Sequence, residues 1–393
     1  MPEHLEGSRL GNYLRRLRQN YGYTLRRVEE RSQAIGECID NSQLSRFEKG
    51  KSSPSFEKLR ILAKVFNVSV QNFSDMLDLE VYDSHKPTGT NYQELMEQGA
   101  AEFESGNFGK AYMIFERCLE VSENGSGTEN PEMQARARTR MAIALKKLGK
   151  LSMMESELRS ILRHRAALSP QTQVRTLLQL SSVHREFGDR YLASILAHEC
   201  HRLAGSVQDS LSEAASRQII GNVCLEDGDP DGAVTHFETA LRQFEGLGEE
   251  QKQISLLATL GEAYCQQNKR ERGWRTLNRG LAVARRVSDR RGTAYVLHKM
   301  ASVSILEGKV EDARTYVARS NLASEQGEER YIDILFANTF LIWKQACSTE
   351  HGTEAKIAFG RLKHLRSLLE RRLPEVEQFD EFVRRTREEE DEE

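Results

Sequence analysis

The sequence predicts an all-α protein: a small helix-turn-helix head followed by a long run of stacked helix pairs. Three observations carry this. Residues 40–55 hold a capped short helix, a glycine stop and a second helix start, and a small or turn residue recurs about every 40 residues from Gly106 onward. The chain of 393 residues is also far longer than a head of about 80 residues needs.

In the run IDNSQLSRFEKGKSSPS (39–55), Asp40 is placed to accept backbone N–H bonds at a helix start. Helical spacing then turns Leu44 and Phe47 inward and leaves Asn41, Ser42, Gln43 and Arg46 projecting outward. Gly50 follows the last turn, where a left-handed residue closes a helix. Pro54 and Ser55 reopen helix with a fixed φ and a hydroxyl acceptor.

Around this run stand LGNYLRRLRQNYG, then TLRRVEE opened by Thr24, and after it LRILAKVFNVSVQNF. Together these segments resemble the Cro/repressor-type (XRE) family over Leu10–Leu77. The resemblance implies a five-helix, lambda-repressor-like domain over residues 1–80. It also implies double-stranded DNA as partner and a homodimer presenting its two third helices to half-sites about 34 Å apart. Asn41, Ser42, Gln43 and Arg46 are then the expected base contacts, with Arg9, Lys49 and Lys51 on phosphates. The stretch from Thr24 to Gly50 is longer than the family pattern, so SQAIGE (Ser32–Glu37) reads as an insertion in the turn. Glu29 stands where a small residue usually packs.

Charge agrees with that placement. Lys and Arg total 56 against 59 Asp and Glu, yet residues 1–64 hold 13 basic against 8 acidic side chains. The positive field therefore sits on the head, where phosphate binding needs it. Six cysteines are scattered without a C-x-x-C pair, which argues against a zinc knuckle and a secreted disulfide scaffold. The N-terminus has no signal-peptide core and no run approaches 18 apolar residues. A cytoplasmic protein without membrane contact is expected.

Residues 81–91, with Pro87 and Gly89, read as a linker to a repeat domain over 92–373. Gly106, Gly149, Gly188, Gly228, Asn268 and Gly308 mark the turns. Seven residues before each turn stand Gly99, Ala142, Ser181, Gly221, Gly261 and Ala301, all small. Five after come Ala111, Met154, Ala193, Ala233, Gly273 and Ala313, and nine after come Phe115, Leu158, Ala197, Phe237, Leu277 and Val317. This small–turn–small–large register resembles the tetratricopeptide repeat (TPR) family and implies an α-solenoid of about seven TPR-like helix pairs. The residue nine past the turn is expected to fill the space between neighbouring pairs. The last pair, Tyr331–Ala346 and Thr353–Leu373, loses the register and is expected to be a cap with its outer face in water. An acidic C-terminal tail is expected over 374–393, and its end RRTREEEDEE (384–393) reads as disordered.

Catalytic and metal chemistry find little support. Gly50-Lys51-Ser52 lacks the first glycine and the strand of a phosphate loop. His198, Cys200 and His201 share a helix, but Cys200 falls on a packing position. No enzyme activity, metal or cofactor is expected. The inner face of stacked pairs is built from first helices, and counting back six or three from each small residue selects Arg136, Arg175, Gln218, Tyr295 and His298 as a groove lining, with Asn222, one after the small Gly221, beside them. Arginine forks beside amides suit a peptide's carboxylate and backbone. The expected function is a DNA-binding transcriptional regulator whose repeats sense a peptide or protein effector and mediate dimerisation. The rival is a repeat scaffold that docks partner proteins, with the head only as an anchor.

Overall fold

The computed structural model describes residues 8–36, 38–124, 130–326, 330–349, 352–369 and 374–392. Among them the chain forms twenty α-helices and no strand. The head consists of α1 (Arg9–Asn20), α2 (Leu25–Ala34), α3 (Asn41–Glu48), α4 (Phe56–Val65) and α5 (Gln71–Glu80). Leu14, Val28, Ile39, Leu44, Leu62, Phe66 and Phe73 form its buried core. Seven helix pairs follow, as α6 (Tyr92–Glu104) with α7 (Phe108–Asn124), α8 (Pro131–Lys147) with α9 (Leu151–Leu162), and α10 (Pro170–Glu186) with α11 (Arg190–Ser206). Next come α12 (Ser210–Glu226) with α13 (Pro230–Gly246), α14 (Glu250–Gln266) with α15 (Arg270–Arg286), and α16 (Arg290–Leu306) with α17 (Val310–Glu325). The last pair is α18 (Ile332–Ser348) with α19 (Gly352–Ser367), and α20 (Pro374–Glu392) ends the chain.

The period of 40 now has a local cause. From α10 to α16 each helix has 17 residues and each turn three, so two of each make one repeat. All six predicted turn residues hold a positive φ, from 60° at Asn268 to 81° at Gly228. The turns between pairs keep the same step through Gln208, Gly248 and Ser288, also at positive φ, a second register that composition conceals because only one of the three is glycine. Expected between neighbouring pairs, the residue nine past the turn is found in both places: Phe115 and Phe237 press on the first helix of their own pair, whereas Ala197 clusters with Ile219 and Ile220 of the next. A Cβ at Gly99 would stand 2.5 Å from the Phe115 ring, and one at Gly221 2.6 Å from Phe237. The small residue is thus the socket for the large one sixteen positions on. Ion pairs between successive pairs supplement this packing, as in Arg272–Glu238 at 2.9 Å and Arg361–Glu325 at 3.1 Å.

The chain divides into two compact units, Met1–Leu168 and Ser169–Glu393. The first holds the head together with α6–α9. The linker segment 81–91 is fastened within it: a Cβ at Gly109 would meet the Tyr82 ring at 2.4 Å, and Lys86 reaches Glu116 and Glu120 at 2.9 and 2.6 Å. Lys150 at the start of α9 likewise donates to Asp75 and Asp78 of α5 at 3.3 and 2.7 Å.

In the second unit the segment expected to be disordered, 384–393, is instead helical as far as Glu392. α20 is a helix whose Val376 and Phe379 are buried against Phe336, Trp343 and Leu362. The outer face of the last pair therefore meets α20 rather than water, because Phe379, spaced three residues from Val376, gives that helix an apolar stripe. Glu37 of the expected turn insertion and residues 370–373 of the expected last pair lie outside the described residues. Around the insertion, α2 runs to Ala34, and the buried Ser32 hydroxyl donates to Glu29 O and accepts from Ile39 N–H at 3.0 Å.

Candidate functional site

The first candidate site is the outward face of α3. Asp40 Oδ1 accepts from Gln43 N–H at 2.8 Å and from the Ser42 hydroxyl at 2.6 Å. The Ser42 and Gln43 bonds hold its carboxyl below the usual range. At the other end Glu48 is buried and takes two bonds from Arg18, at 2.6 and 2.8 Å. A Cβ at Gly11 would stand 2.5 Å from Phe47 O, so α1 and α3 touch backbone to backbone only because Gly11 has no side chain. α3 is therefore pinned along its inner side.

On its outer side Asn41, Ser42 and Arg46 are exposed, as are Lys49 and Lys51 beyond Gly50, whose φ is 65°. Gln43 is half-buried and its Oε1 accepts from Lys58 Nζ at 2.9 Å, which leaves its amide N–H groups as the free end. Arg9 stands elsewhere. It is 9% exposed, donates to Glu116 at 3.0 Å and to Asp83 at 2.8 Å, and so has no charge to offer phosphate. Burial alone would raise the Glu116 pKa, but Arg9, Lys86 and Arg16 outweigh it and hold that carboxyl at about 2. Exposed cations that motif reading missed are Arg26 and Arg31 on α2 and Arg60 and Lys64 on α4. Only their helix faces mark them.

The second candidate site is a cavity of about 690 Å³ in the second unit. It is walled mainly by the first helices α10, α12, α14, α16 and α18, with α20 adding Glu375 and Glu377. Of the six residues selected from the sequence, Gln218, Asn222, Tyr295 and His298 line it. Arg136 and Arg175 do not: both are exposed, Arg136 lies on α8 of the other unit, and the cavity reaches only the last turn of α10, at Arg185 and Glu186.

The cations that do line the cavity carry partners. Arg185 meets Glu226 at 3.0 Å, Arg190 meets Asp227 at 3.1 Å, Arg291 pairs with Asp333, and Lys299 meets Glu262 at 2.7 Å. Burial pulls the Lys299 pKa down, but Glu262, with Tyr295 and Glu375, outweighs it and keeps the ammonium charged. His298 is buried, and burial together with Lys299 lowers its pKa. Its Nδ1 lies 2.8 Å from Asn338 Oδ1. Counting missed Asn338 because the last pair breaks the turn register, although it stands one period of 40 after His298.

The cysteines at packing positions are thiols rather than ligands, with burial pushing Cys118 and Cys200 up to about 12. Among the described residues no group of His, Cys, Asp and Glu could hold a metal ion, and no helix is long and apolar enough to cross a membrane.

The helix-turn-helix family model HTH_3 matches residues 14–73. The head is an XRE-type helix-turn-helix domain. Behind this XRE-type head, the repeats are TPR-like, and the chain is similar to solved helical-repeat structures at low identity. One is a Rap protein complexed with competence and sporulation factor, 16% identical over 91% of this chain and 98% of that one, with a TM-score of 0.56. Another is aspartyl phosphate phosphatase F from Bacillus subtilis, 11% identical over 96% of each chain, at 0.54. A third is the Rap conjugation gene regulator of the plasmid pLS20 in complex with the Phr* peptide, 12% identical over 91% of this chain and 96% of that one, at 0.52. No curated protein matches the sequence.

Proposed function

We propose that the protein is a sequence-specific DNA-binding transcriptional regulator that works as a dimer and takes a short peptide in the cavity of its repeats. The observation that carries the first part is the presentation of α3. Asn41, Ser42 and Arg46 face solvent from a helix whose other side is fastened by Glu48, Leu44 and Phe47. A polar-tipped helix on a rigid back is what major-groove reading requires. Lys49 and Lys51 then bind phosphate, and Lys58 orients Gln43 so that its N–H groups meet an acceptor on a base edge. The peptide part is supported by the cavity's size and polar walls, and by the peptide held by the similarly folded pLS20 regulator.

Selection of duplexes from a random pool by the full chain tests this. The expected winner is a site with two related halves about 34 Å apart. On that site Gln43→Ala costs about 1–3 kcal/mol and relaxes one base position, whereas Lys51→Ala weakens all sequences alike and lowers the salt slope by about 1. No enrichment over competitor DNA, or equal loss on every sequence for Gln43→Ala, rejects the reading.

A further inference from the structure

The chemistry of the cavity wall narrows what it takes. Asn338 is fully buried, and its Nδ2 donates to Ser320 Oγ at 2.9 Å and to Asn321 Oδ1 at 2.8 Å. Both amide hydrogens are thereby used, and Ser320 Oγ passes its own hydrogen to Ala294 O at 2.8 Å. Asn338 Oδ1 is therefore an acceptor, so the His298 Nδ1 facing it carries the hydrogen. Burial and the nearby Lys299 charge keep the ring neutral at ordinary pH. A neutral imidazole protonated on Nδ1 has a lone pair on Nε2. His298 is only 6% exposed, lines the cavity, and its Nε2 has no protein partner among the described residues.

That lone pair has carboxylates for company. Glu375 and Glu377, on the first turn of α20, line the same cavity, and Gly188 leaves room for one of them: a Cβ there would stand 3.0 Å from Glu377 Oε1. The wall's cations do not balance them, since Arg185, Arg190 and Arg291 are each engaged by another carboxylate and Lys299 is shared between its ion pair with Glu262 and the field of Glu375. Seven carboxylates line the cavity against four cations, so its wall carries surplus negative charge.

We infer that the cavity selects a peptide bearing a lysine or arginine side chain, whose N–H donors meet His298 Nε2 and the α20 carboxylates. This rests on the peptide reading above and reverses the sequence expectation that arginine forks hold a peptide carboxylate. It also makes α20 a specificity wall, in addition to a cover for the last helix pair. Both roles come from one helix, with Val376 and Phe379 inward and Glu375 and Glu377 at the cavity.

Two pools of short peptides, random except for one position fixed as Lys in one pool and Glu in the other, are passed over the immobilised full chain. The Lys pool is expected to be retained about tenfold more strongly, a difference of about 1.4 kcal/mol. In the Glu375→Gln/Glu377→Gln variant, which leaves the buried stripe of α20 intact, the preference falls towards unity. His298→Phe, which keeps a ring but removes the acceptor, lowers retention of the Lys pool severalfold. Equal retention of the two pools, preference for Glu, or a Lys preference that survives Glu375→Gln/Glu377→Gln overturns the inference while leaving a peptide site standing. Retention of neither pool overturns the peptide reading and this inference with it.

Discussion

Glu116 in the first unit and Glu262 in the second are both carboxylates set against cations in largely buried surroundings, but they differ in what surrounds the pair. Around Glu116 the arrangement is closed: Arg9 and Lys86 converge on it at 3.0 and 2.9 Å, and the side chain is 6% exposed. Glu262 and Lys299 meet at 2.7 Å, yet their side chains keep 14% and 18% exposure because they line a cavity. A closed cluster has satisfied its own hydrogen bonds, so it acts as a fastener that ties the head, the segment 81–91 and α7 into one body. An open one keeps unsatisfied capacity beside it, so it acts as a surface for something else.

Two substitutions probe that difference directly. The largest effect is expected for Glu116→Gln, which strands Arg9 in a buried site and destabilises the first unit by about 3–5 kcal/mol. Glu262→Gln should cost clearly less, because Lys299 borders the cavity and faces Glu375 as well. Urea unfolding of the full chain measures both, and equal losses would erase the contrast. The pH dependence gives a second handle. The Glu116 pKa lies at about 2, below the 4.5 of a free glutamate, so its contribution is complete above pH 4.5 and disappears as pH falls towards 2. The gap between wild type and Glu116→Gln is accordingly expected to shrink on acidification through that window.

Next in size is Gly221→Val, which drives a side chain into the Phe237 ring inside one helix pair and is expected to cost about 1–3 kcal/mol, read as a lower thermal midpoint. Such a loss without Glu116 being touched would show that pair packing and ionic fastening act on separate parts of the molecule. The smallest effect is that of Asp40→Ala. It removes the acceptor for Gln43 N–H and Ser42 Oγ and costs about 1 kcal/mol, seen by thermal melting of the head and by looser DNA binding.

Much of the molecule was legible in the chain. Asp40, Gly50 and Ser55 mark the ends of α3 and the start of α4 through local chemistry alone, namely a side-chain acceptor, a left-handed stop and a hydroxyl cap. The six turn residues and the small positions before them announce the repeat, since only small residues fit where Phe115 or Phe237 press against a neighbouring helix. Gln218, Asn222, Tyr295 and His298 were within reach because the cavity-facing side of a first helix recurs with the period.

What the sequence could determine by itself was therefore whatever depends on neighbours a turn or a repeat away: caps, stops, the period of 40 and the side of each helix that packs. Tertiary structure alone decided which charges are free. Arg9 looks like any basic residue at a helix start until Glu116, 107 positions later, takes it out of solvent. Glu375 and Glu377 look like part of an acidic tail until Val376 and Phe379 dock α20 and carry them to the cavity. The physical reason is that side-chain periodicity is a local property, whereas pairing and burial of a charge depend on the groups that folding brings from far along the chain.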